Sequence, residues 1–332
     1  MIFLAFILLI TCGALGFIYW QIQKTTALTT PSEVLAYHAE ERKYFAEIHS
    51  PTVSELAEAL RANGFEDVAS AAENASRPCF RLVPAAEEDV SPRSRLGGAP
   101  DLPDIALWPL WEGVPLAFLG QIDLGELAEL NPDTPLPKEG LLSFFYDADQ
   151  RTWGFKPEDR ESWRVLYFPQ PFQPVAINEW PAGLPEQGCY PLASMFIESG
   201  ESLPDDLIDD FLAGKGPREA AMLEDIMDQY QQCYEGAAHQ VLGYPYTIQG
   251  DMRLECQLVS NGLYCGDETG YKDPRAKDLE PGAADWRLLF QLDSDDRAGM
   301  MWGDMGTLYF WIKDQDLAAK RFDQVWMVLQ CA

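Results

Sequence analysis

The chain has 332 residues, of which 47% are hydrophobic and 12% aromatic, a composition that excludes a disordered chain and provides for one large domain or two ordinary ones. Its 24 basic and 53 acidic residues give a formal net charge of −29. Because nucleic-acid affinity depends on Lys and Arg side chains that neutralise phosphates, this charge excludes nucleic acid as an expected partner.

The first segment of the chain is strongly apolar. Residues 2–20 carry no charged side chain, and a helix that rises about 1.5 Å per residue over this length approaches the roughly 30 Å hydrocarbon core of a bilayer. Tyr19 and Trp20 end the apolar run and Lys24 follows it, as is typical of a membrane interface. The sequence therefore predicts a transmembrane anchor in residues 1–24 and a single-pass inner (cytoplasmic) membrane protein. The basic residues after the span favour a soluble domain that faces the cytoplasm.

A helical N-terminal segment is predicted for residues 25–79. Within it, apolar residues recur at helical spacing over residues 32–48, which indicates a first helix. Thr52 and Glu55 have the spacing of a capping box, in which each side chain accepts the backbone N–H of the other residue. This pair predicts the start of a second helix.

The chain changes character from about Arg81 onward, where prolines and glycines separate short runs of aliphatic and aromatic residues. This pattern is typical of strands joined by turns. The runs that predict strands are 116–124, 140–147, 163–168, 287–293 and 306–312. An acidic helical insert at residues 204–234, in which prolines begin two helical segments, interrupts the β-rich region.

Two parts of this β-rich region resemble each other. Residues 118–123 (FLGQID) recur as residues 288–293 (LLFQLD), and the glycine-led aromatic strand at 140–146 recurs at 306–312. A loop with Gly and Pro precedes each copy. The same ordered set therefore occurs twice and indicates an internal duplication.

The predicted fold class is α+β and internally duplicated, with two similar β-rich halves, peripheral helices and one preceding N-terminal transmembrane helix. The halves are predicted at about residues 80–200 and 236–332, within a domain that covers residues 80–332.

Several of these motifs together resemble a known family. They are the segments 94–103 (SRLGGAPDLP), 118–123, 239–245 (HQVLGYP), 286–293 (WRLLFQLD) and 301–304 (MWGD). In this combination they resemble the YwqG-like domain of unknown function over roughly residues 80–330. The resemblance implies a bacterial α+β protein with a duplicated architecture. It implies no catalytic residue and leaves the cofactor unknown, because the family has no established activity.

The segment 291–306 (QLDSDDRAGMMWGDMG) combines four carboxylates with a tryptophan and glycines. A calcium loop of the EF-hand type requires oxygen ligands at alternating positions and a closing glutamate, a pattern that Arg297 and Gly299 break. We expect a turn-rich loop whose aspartates accept hydrogen bonds from its own backbone. The alternative is an unconventional metal site that Asp304 closes; no metal ligand is assigned.

Other catalytic patterns are missing from the sequence. It contains no CxxC, HxxxH or GxSxG motif, which are the spacings of common zinc sites and of a serine nucleophile. Gly97 and Gly98 are followed by Ala and Pro rather than by the residues of a phosphate loop. The seven cysteines are scattered, which favours buried free thiols over disulfides.

Two predicted strands end in the same Gln-x-Asp pattern. Gln121 and Asp123 end one strand, and Gln291 and Asp293 end its counterpart. Facing a shared cleft, these polar groups would bind a ligand; alternatively, they satisfy buried backbone groups. The predicted ligand-binding residues are Gln121, Asp123, His239, Gln249, Gln291, Asp293, Trp302 and Asp304.

The sequence thus predicts a membrane-anchored protein of unknown activity whose domain is a non-enzymatic module for binding a small polar ligand, a peptide or a protein. The alternative is a hydrolase-like enzyme that uses His239 with carboxylates of the 293–304 loop. A third hypothesis is a structural or inhibitory protein that binds a basic partner through its acidic surface.

Overall fold

The computed structural model describes residues 52–84, 93–169, 171–177, 179–232 and 238–332. The strands in these ranges are β1 (Arg77–Pro84), β2 (Arg95–Leu96), β3 (Leu110–Trp111), β4 (Val114–Pro115), β5 (Ala117–Asp123), β6 (Leu141–Tyr146), β7 (Trp163–Phe168), β8 (Ala193–Ser202), β9 (Gln240–Val241), β10 (Trp286–Asp293), β11 (Thr307–Lys313) and β12 (Trp326–Gln330). The α-helices are α1 (Val53–Ala62), α2 (Glu66–Ala75), α3 (Leu124–Leu130), α4 (Asp209–Leu212), α5 (Pro217–Gln232), α6 (Arg253–Val259), α7 (Thr269–Lys272), α8 (Ala276–Leu279) and α9 (Asp314–Ala318). Short 3-10 helices span Ile105–Leu107, Pro157–Ser162, Glu186–Gly188, Glu280–Asp285 and Phe322–Gln324.

Ten of these strands form one sheet in the order β12-β11-β10-β9-β1-β8-β2-β5-β6-β7, and β3 pairs with β4 in a separate ribbon. All of the pairs are antiparallel. The centre of the order is the β1–β8 pair, whose register runs from Arg77 opposite Ser202 to Pro84 opposite Met195. This long central pair joins the strands on its two sides into a continuous sheet.

The strands on the two sides of the central pair follow the same plan. β2, β5, β6 and β7 lie on one side, and β9, β10, β11 and β12 lie in the same order on the other. β5 has a shift in register between Phe118 and Gly120, and β10 has one between Leu288 and Phe290. Because a bulge decides which side chains face the core, the two strands place their side chains in the same alternation.

The central strands of each set are buried along almost their whole length. Every residue of β6 and β12 is buried, and so are nearly all residues of β5, β10 and β11. Phe144 of β6 packs against Phe290 of β10 and Phe310 of β11, with ring centroids 4.6 and 5.2 Å apart. The main core therefore lies where the two sets of strands meet, and aromatic contacts of this kind add to the apolar area that is removed from water.

The two ends of the strand order are hydrogen-bonded to each other's connecting segments. The indole Nε1 of Trp163 in β7 donates to the carbonyl of Val325 at 2.9 Å. The N–H of Leu329 in β12 donates to the carbonyl of Trp153 at 3.1 Å. These bonds cover backbone groups that an exposed edge strand would leave unpaired.

Helices α1 and α2 form a second core with the helical region around α5. The capping box predicted from the sequence is present at the start of α1: Thr52 Oγ1 accepts the N–H of Glu55 at 3.2 Å, and Glu55 Oε2 accepts the N–H of Thr52 at 2.7 Å. Leu56 and Leu60 of α1 are buried in one cluster with Leu223 of α5. The apolar faces of these helices are thereby removed from water.

The predicted fold class is corrected by this architecture. One continuous sheet dominates the described chain, in place of an α+β arrangement preceded by a transmembrane helix. Within the described ranges no helix is long and apolar enough to cross a membrane; the longest there, α5, has 16 residues, fewer than the roughly 20 that a span needs. Residues 1–24, for which the anchor was predicted, lie outside the described residues. The single-pass inner-membrane location and its cytoplasmic orientation are therefore not supported and are withdrawn.

The predicted domain limits at residues 25–79 and 80–332 stay predictions, as do the two halves at about 80–200 and 236–332. The predicted insert at residues 204–234 contains the helices α4 and α5.

Candidate functional site

Gln121 and Asp123 fasten the loops around the end of β5. The buried Nε2 of Gln121 donates to the carbonyl of Arg93 at 2.7 Å, and its Oε1 accepts the N–H of Asp101 at 2.9 Å. Asp123 Oδ1 accepts the N–H of Gly125 at 2.8 Å and so caps α3, while its Oδ2 lies 3.0 Å from Nη1 of Arg93. Both side chains thus bond groups of the protein itself.

Gln291 and Asp293 make the corresponding contacts at the end of β10. Nε2 of the buried Gln291 donates to the carbonyl of Ala238 at 2.8 Å, and its Oε1 accepts the N–H of Tyr246 at 2.9 Å. Asp293 accepts the N–H of Ala238 at 2.9 Å and the hydroxyl of Thr307 at 2.8 Å. The two glutamines therefore use their amides on loop backbone in the same way, as buried polar groups require.

His239 and Asp295 form a buried polar pair. Nδ1 of His239 accepts the N–H of Asp293 at 3.1 Å, so the ring hydrogen lies on Nε2, which donates to Oδ2 of Asp295 at 3.1 Å. The side chains of His239 and Asp295 are 0% and 3% exposed. Both ring nitrogens are occupied, and neither is available to take a proton from a substrate.

Arg297 balances the charge of the same carboxylate. Its Nε lies 2.8 Å from Oδ1 of Asp295 and its Nη2 lies 2.7 Å from Oδ2. Burial alone would raise the pKa of Asp295, but the hydrogen bonds from His239 and Arg297 overcome this and hold the pKa well below its ordinary value. The carboxylate is therefore ionised and bound by a half-exposed guanidinium.

The 293–304 loop is a compact turn around this pair. Asp295 and Met300 exchange backbone hydrogen bonds of 2.8 and 3.0 Å, and Gly299 has φ of +63°, a left-handed conformation that glycine adopts freely. Asp295 Oδ1 also accepts the N–H of Arg297 at 2.9 Å. Among the residues that the structure describes, no group of three or more His, Cys, Asp or Glu side chains is placed to hold a metal ion.

The other residues predicted to bind a ligand have separate contacts. Trp302 is buried, and its Nε1 donates to the carbonyl of Asp293 at 3.2 Å. Gln249 is exposed, and its Nε2 donates to the carbonyl of Cys331 at 2.9 Å. Asp304 is exposed. The geometry gives most of the predicted set internal partners, and its role in ligand binding stays a prediction.

A cavity of about 240 Å³ lies elsewhere, between β1, the loop after α3 and the start of β10. Its apolar lining residues include Phe80, Leu242, Trp286 and Leu288, all of them buried. Its polar lining includes Asn131, Thr134, Arg77, Arg287 and Asp314. The lining is therefore mixed, and a concave pocket with apolar and polar groups is a place where a small molecule can bind.

Two arginines give the rim of the cavity a positive charge. The guanidinium carbon of Arg77, an exposed residue, lies 4.2 Å from the ring centroid of Tyr244, and within the described part of the chain no carboxylate is paired with it. Nε of Arg287 donates to Oδ1 of Asp314. The rim therefore has two guanidinium groups and one carboxylate, in a chain with a net charge of −29.

The apolar wall of the cavity is held in place by polar neighbours. Nε1 of Trp286 donates to Oε1 of Gln257 on α6 at 3.0 Å. Nζ of Lys313 lies 5.2 Å from the centroid of the same ring, within cation–π distance. These two contacts hold the indole of Trp286 in place.

The equivalent place in the other set of strands is closed. Ala117 pairs with β6 two residues before Ala148, as Arg287 pairs with β11 two residues before Asp314. Gly188 covers both alanines: a Cβ built on it would lie 2.7 Å from the Cβ of Ala148 and 3.0 Å from that of Ala117. Two covered alanines in one set of strands thus correspond to an arginine and an aspartate beside an open cavity in the other set.

The residues of this cavity are not among those predicted from the sequence. Arg77 belongs to a strand that the sequence pattern did not indicate, and the chain around it carries no motif. A signal was nevertheless present in the repeat, since aligning the two copies places Arg287 where the first copy has Ala117. A charge that replaces an alanine at a duplicated strand position indicates a difference in use between the copies.

A family model described as "Domain of unknown function (DUF1963)" matches residues 94–331, more than half of the chain. The matched range contains Arg287, Asp314 and the buried pair of His239 and Asp295, while Arg77 precedes it. No curated protein matches the chain.

Proposed function

The chain belongs to the DUF1963 family of domains of unknown function, and from this premise we propose that it is a non-enzymatic binding module whose cavity takes a small anionic ligand. The anionic group is a carboxylate or a phosphate, because guanidinium groups bind both through paired N–H donors. The narrower YwqG-like assignment of the domain is part of the same proposal.

The observation that carries the proposal is the state of Arg77. Its guanidinium carbon lies 4.2 Å from the ring centroid of Tyr244, and within the described residues its side-chain N–H donors have no hydrogen-bond acceptor. No carboxylate of the described residues neutralises it, although the chain has more than twice as many acidic as basic residues. An anion that enters the cavity supplies the missing partner.

The contrast between the two sets of strands also supports an anion-binding cavity. Where the chain closes over Ala117 and Ala148, the space is filled by Gly188 and needs no ligand. At the equivalent place the charged pair of Arg287 and Asp314 stands beside an open cavity. Charged side chains beside an open cavity favour a polar ligand.

The contacts favour binding over catalysis. The described lining contains no histidine, cysteine or serine, and its carboxylate, Asp314, is engaged by Arg287. His239, the base of the alternative hydrolase hypothesis, is buried with both ring nitrogens bonded. A general base must reach the proton that it removes, and the buried His239 does not meet this requirement.

The test is the thermal stability of the full chain in the presence of sodium phosphate, acetate or 4-methylpentanoate, at an ionic strength held constant with chloride. A ligand at 100 times its dissociation constant stabilises the folded state by about 2.7 kcal/mol. We expect at least one of these anions to raise the melting temperature of the wild type. The same anion should not raise that of Arg77→Gln.

The matched control is Arg253→Gln, which removes an equally charged arginine that is paired with Asp251 and does not line the cavity. It should keep the full anion-dependent shift. No shift with any of the three anions, or an equal shift in Arg77→Gln, contradicts the proposed function.

A further inference from the structure

The charge arrangement of the cavity narrows the class of ligand. Resting on the anion-binding function proposed above, we infer that the ligand is a small zwitterion, namely an amino acid with an apolar side chain. Arg77 binds its carboxylate, Asp314 binds its ammonium group, and the apolar lining takes its side chain.

Arg77 is the guanidinium that is open to the ligand's carboxylate. Its in-plane donors have no carboxylate partner among the described residues, whereas Nε of Arg287 is already bonded to Asp314. A carboxylate that enters the cavity therefore gains most from Arg77, through the bidentate geometry that guanidinium and carboxylate share.

Asp314 determines whether an anion alone is a good ligand. It is exposed at the first residue of α9, and its Oδ1 bonds to Arg287. Its Oδ2 has no hydrogen-bond partner in the described ranges. A simple anion meets this carboxylate as a like charge, which lowers its affinity. A ligand that also carries an ammonium group turns the same contact into an attraction, so Asp314 selects against simple anions.

The apolar lining and the volume limit the rest of the ligand. Phe80, Leu242, Trp286 and Leu288 are among the residues that line the cavity, and they favour an apolar group. The volume of about 240 Å³ corresponds to roughly eight waters at about 30 Å³ each. This space suits one amino acid of the size of leucine.

The experiment compares three ligands of matched shape by calorimetric titration of the full chain: L-leucine, 4-methylpentanoate, which lacks the amine, and 3-methylbutylamine, which lacks the carboxylate. We expect the wild type to bind leucine at least about tenfold more tightly than either of the others, a difference of about 1.4 kcal/mol. This comparison uses one protein and needs no variant to fold.

Two variants test which side chain binds the carboxylate of the ligand and which binds its ammonium group. Asp314→Asn should reduce the preference for leucine over 4-methylpentanoate to within about twofold, while Arg77→Gln should weaken both by at least about tenfold. If 4-methylpentanoate binds the wild type as tightly as leucine does, the zwitterion inference is overturned and the anion site stands. If neither carboxylate binds, the inference and the proposed function both fail.

Discussion

Nε2 of His239 donates to Oδ2 of Asp295 over 3.1 Å, and both side chains are closed to solvent. The pair holds the turn-rich loop against β9, because Nδ1 of the same ring accepts the N–H of Asp293. This relationship gives His239 a structural role, and it leads to the first of five predictions.

His239→Ala should lower the free energy of unfolding by about 3 kcal/mol, since it removes a hydrogen bond to the buried Asp295 carboxylate and leaves the backbone N–H of Asp293 without a partner. Denaturant titration measures the change. The control is Asp304→Ala in the same loop, where the side chain is exposed and the expected change is within about 0.5 kcal/mol. A folded His239→Ala protein of wild-type stability would contradict the structural role.

Gln121→Ala and Gln291→Ala should destabilise the protein by similar amounts, about 2 kcal/mol each, because each leaves a loop carbonyl and a loop N–H unpaired. Denaturant titration of the two variants side by side checks this. A large loss of stability in one variant and none in the other would contradict equivalent roles for the two glutamines at their strand ends.

The environment of Glu255 on α6 leads us to expect an unusual dependence of stability on pH. Its Oε1 has no hydrogen-bond partner in the described structure. Burial raises its pKa from 4.5 to about 7, against a hydrogen bond from Tyr271 that lowers it. Because the folded-state pKa is the higher one, the stability contributed by the protonated carboxyl is fully present below about pH 4.5 and is lost as the pH rises through about 7.

Glu255→Gln removes the titrating carboxyl and with it the loss of stability at higher pH. The free energy of unfolding of this variant, relative to that of the wild type, should rise between about pH 4.5 and about pH 8 by an amount on the order of 3 kcal/mol. Urea titrations of both proteins at the two pH values measure the difference. A gap between the two proteins that is the same at both pH values would show that Glu255 does not titrate in this range.

Gly154 and Gly214 form a matched pair, since both have φ of +89°. A Cβ on Gly154 would lie 2.1 Å from the carbonyl oxygen of Met327 in β12, whereas a Cβ on Gly214 meets nothing within 4 Å. Gly214→Ala should cost about 1 kcal/mol for its backbone conformation alone. Gly154→Ala should cost at least about 2 kcal/mol more, and equal melting temperatures would contradict the close approach of this segment to β12.

Much of the sheet could be predicted from the sequence where strands are apolar along their length. The runs at 116–124, 140–147, 163–168, 287–293 and 306–312 correspond to β5, β6, β7, β10 and β11 within one or two residues. The capping box at Thr52 and Glu55 is also confirmed. In each case a local pattern is sufficient, because the residues themselves carry the preference.

The central pair could not be predicted in the same way. β8 has the sequence ASMFIESGES, which is polar and contains a glycine, and it is a strand because it pairs along its length with β1. Pairing partners more than a hundred residues apart leave no local pattern. For the same reason Arg77 in β1 and Arg287 in β10 could not be assigned to one cavity before the sheet order was known.

The candidate site shows how a sequence pattern can fit two different roles. The polar residues that form a sequence pattern, Gln121 and Gln291, are buried and bonded to loop backbone. Polar residues that repeat at the strand ends of two copies can bind a ligand or can bond to the backbone of nearby loops. Both roles give the same sequence pattern, since buried backbone groups also need hydrogen-bond partners. The arginines of the cavity carry no motif because their relation is spatial.

Isothermal titration of 4-methylpentanoate into wild type, Arg77→Gln and Arg253→Gln measures whether Arg77 holds an anionic group in the cavity. We expect saturable binding to the wild type and to Arg253→Gln, with affinity for Arg77→Gln reduced at least about tenfold, or about 1.4 kcal/mol. Equal affinity for all three proteins, or no saturable binding to the wild type, would contradict this role of Arg77.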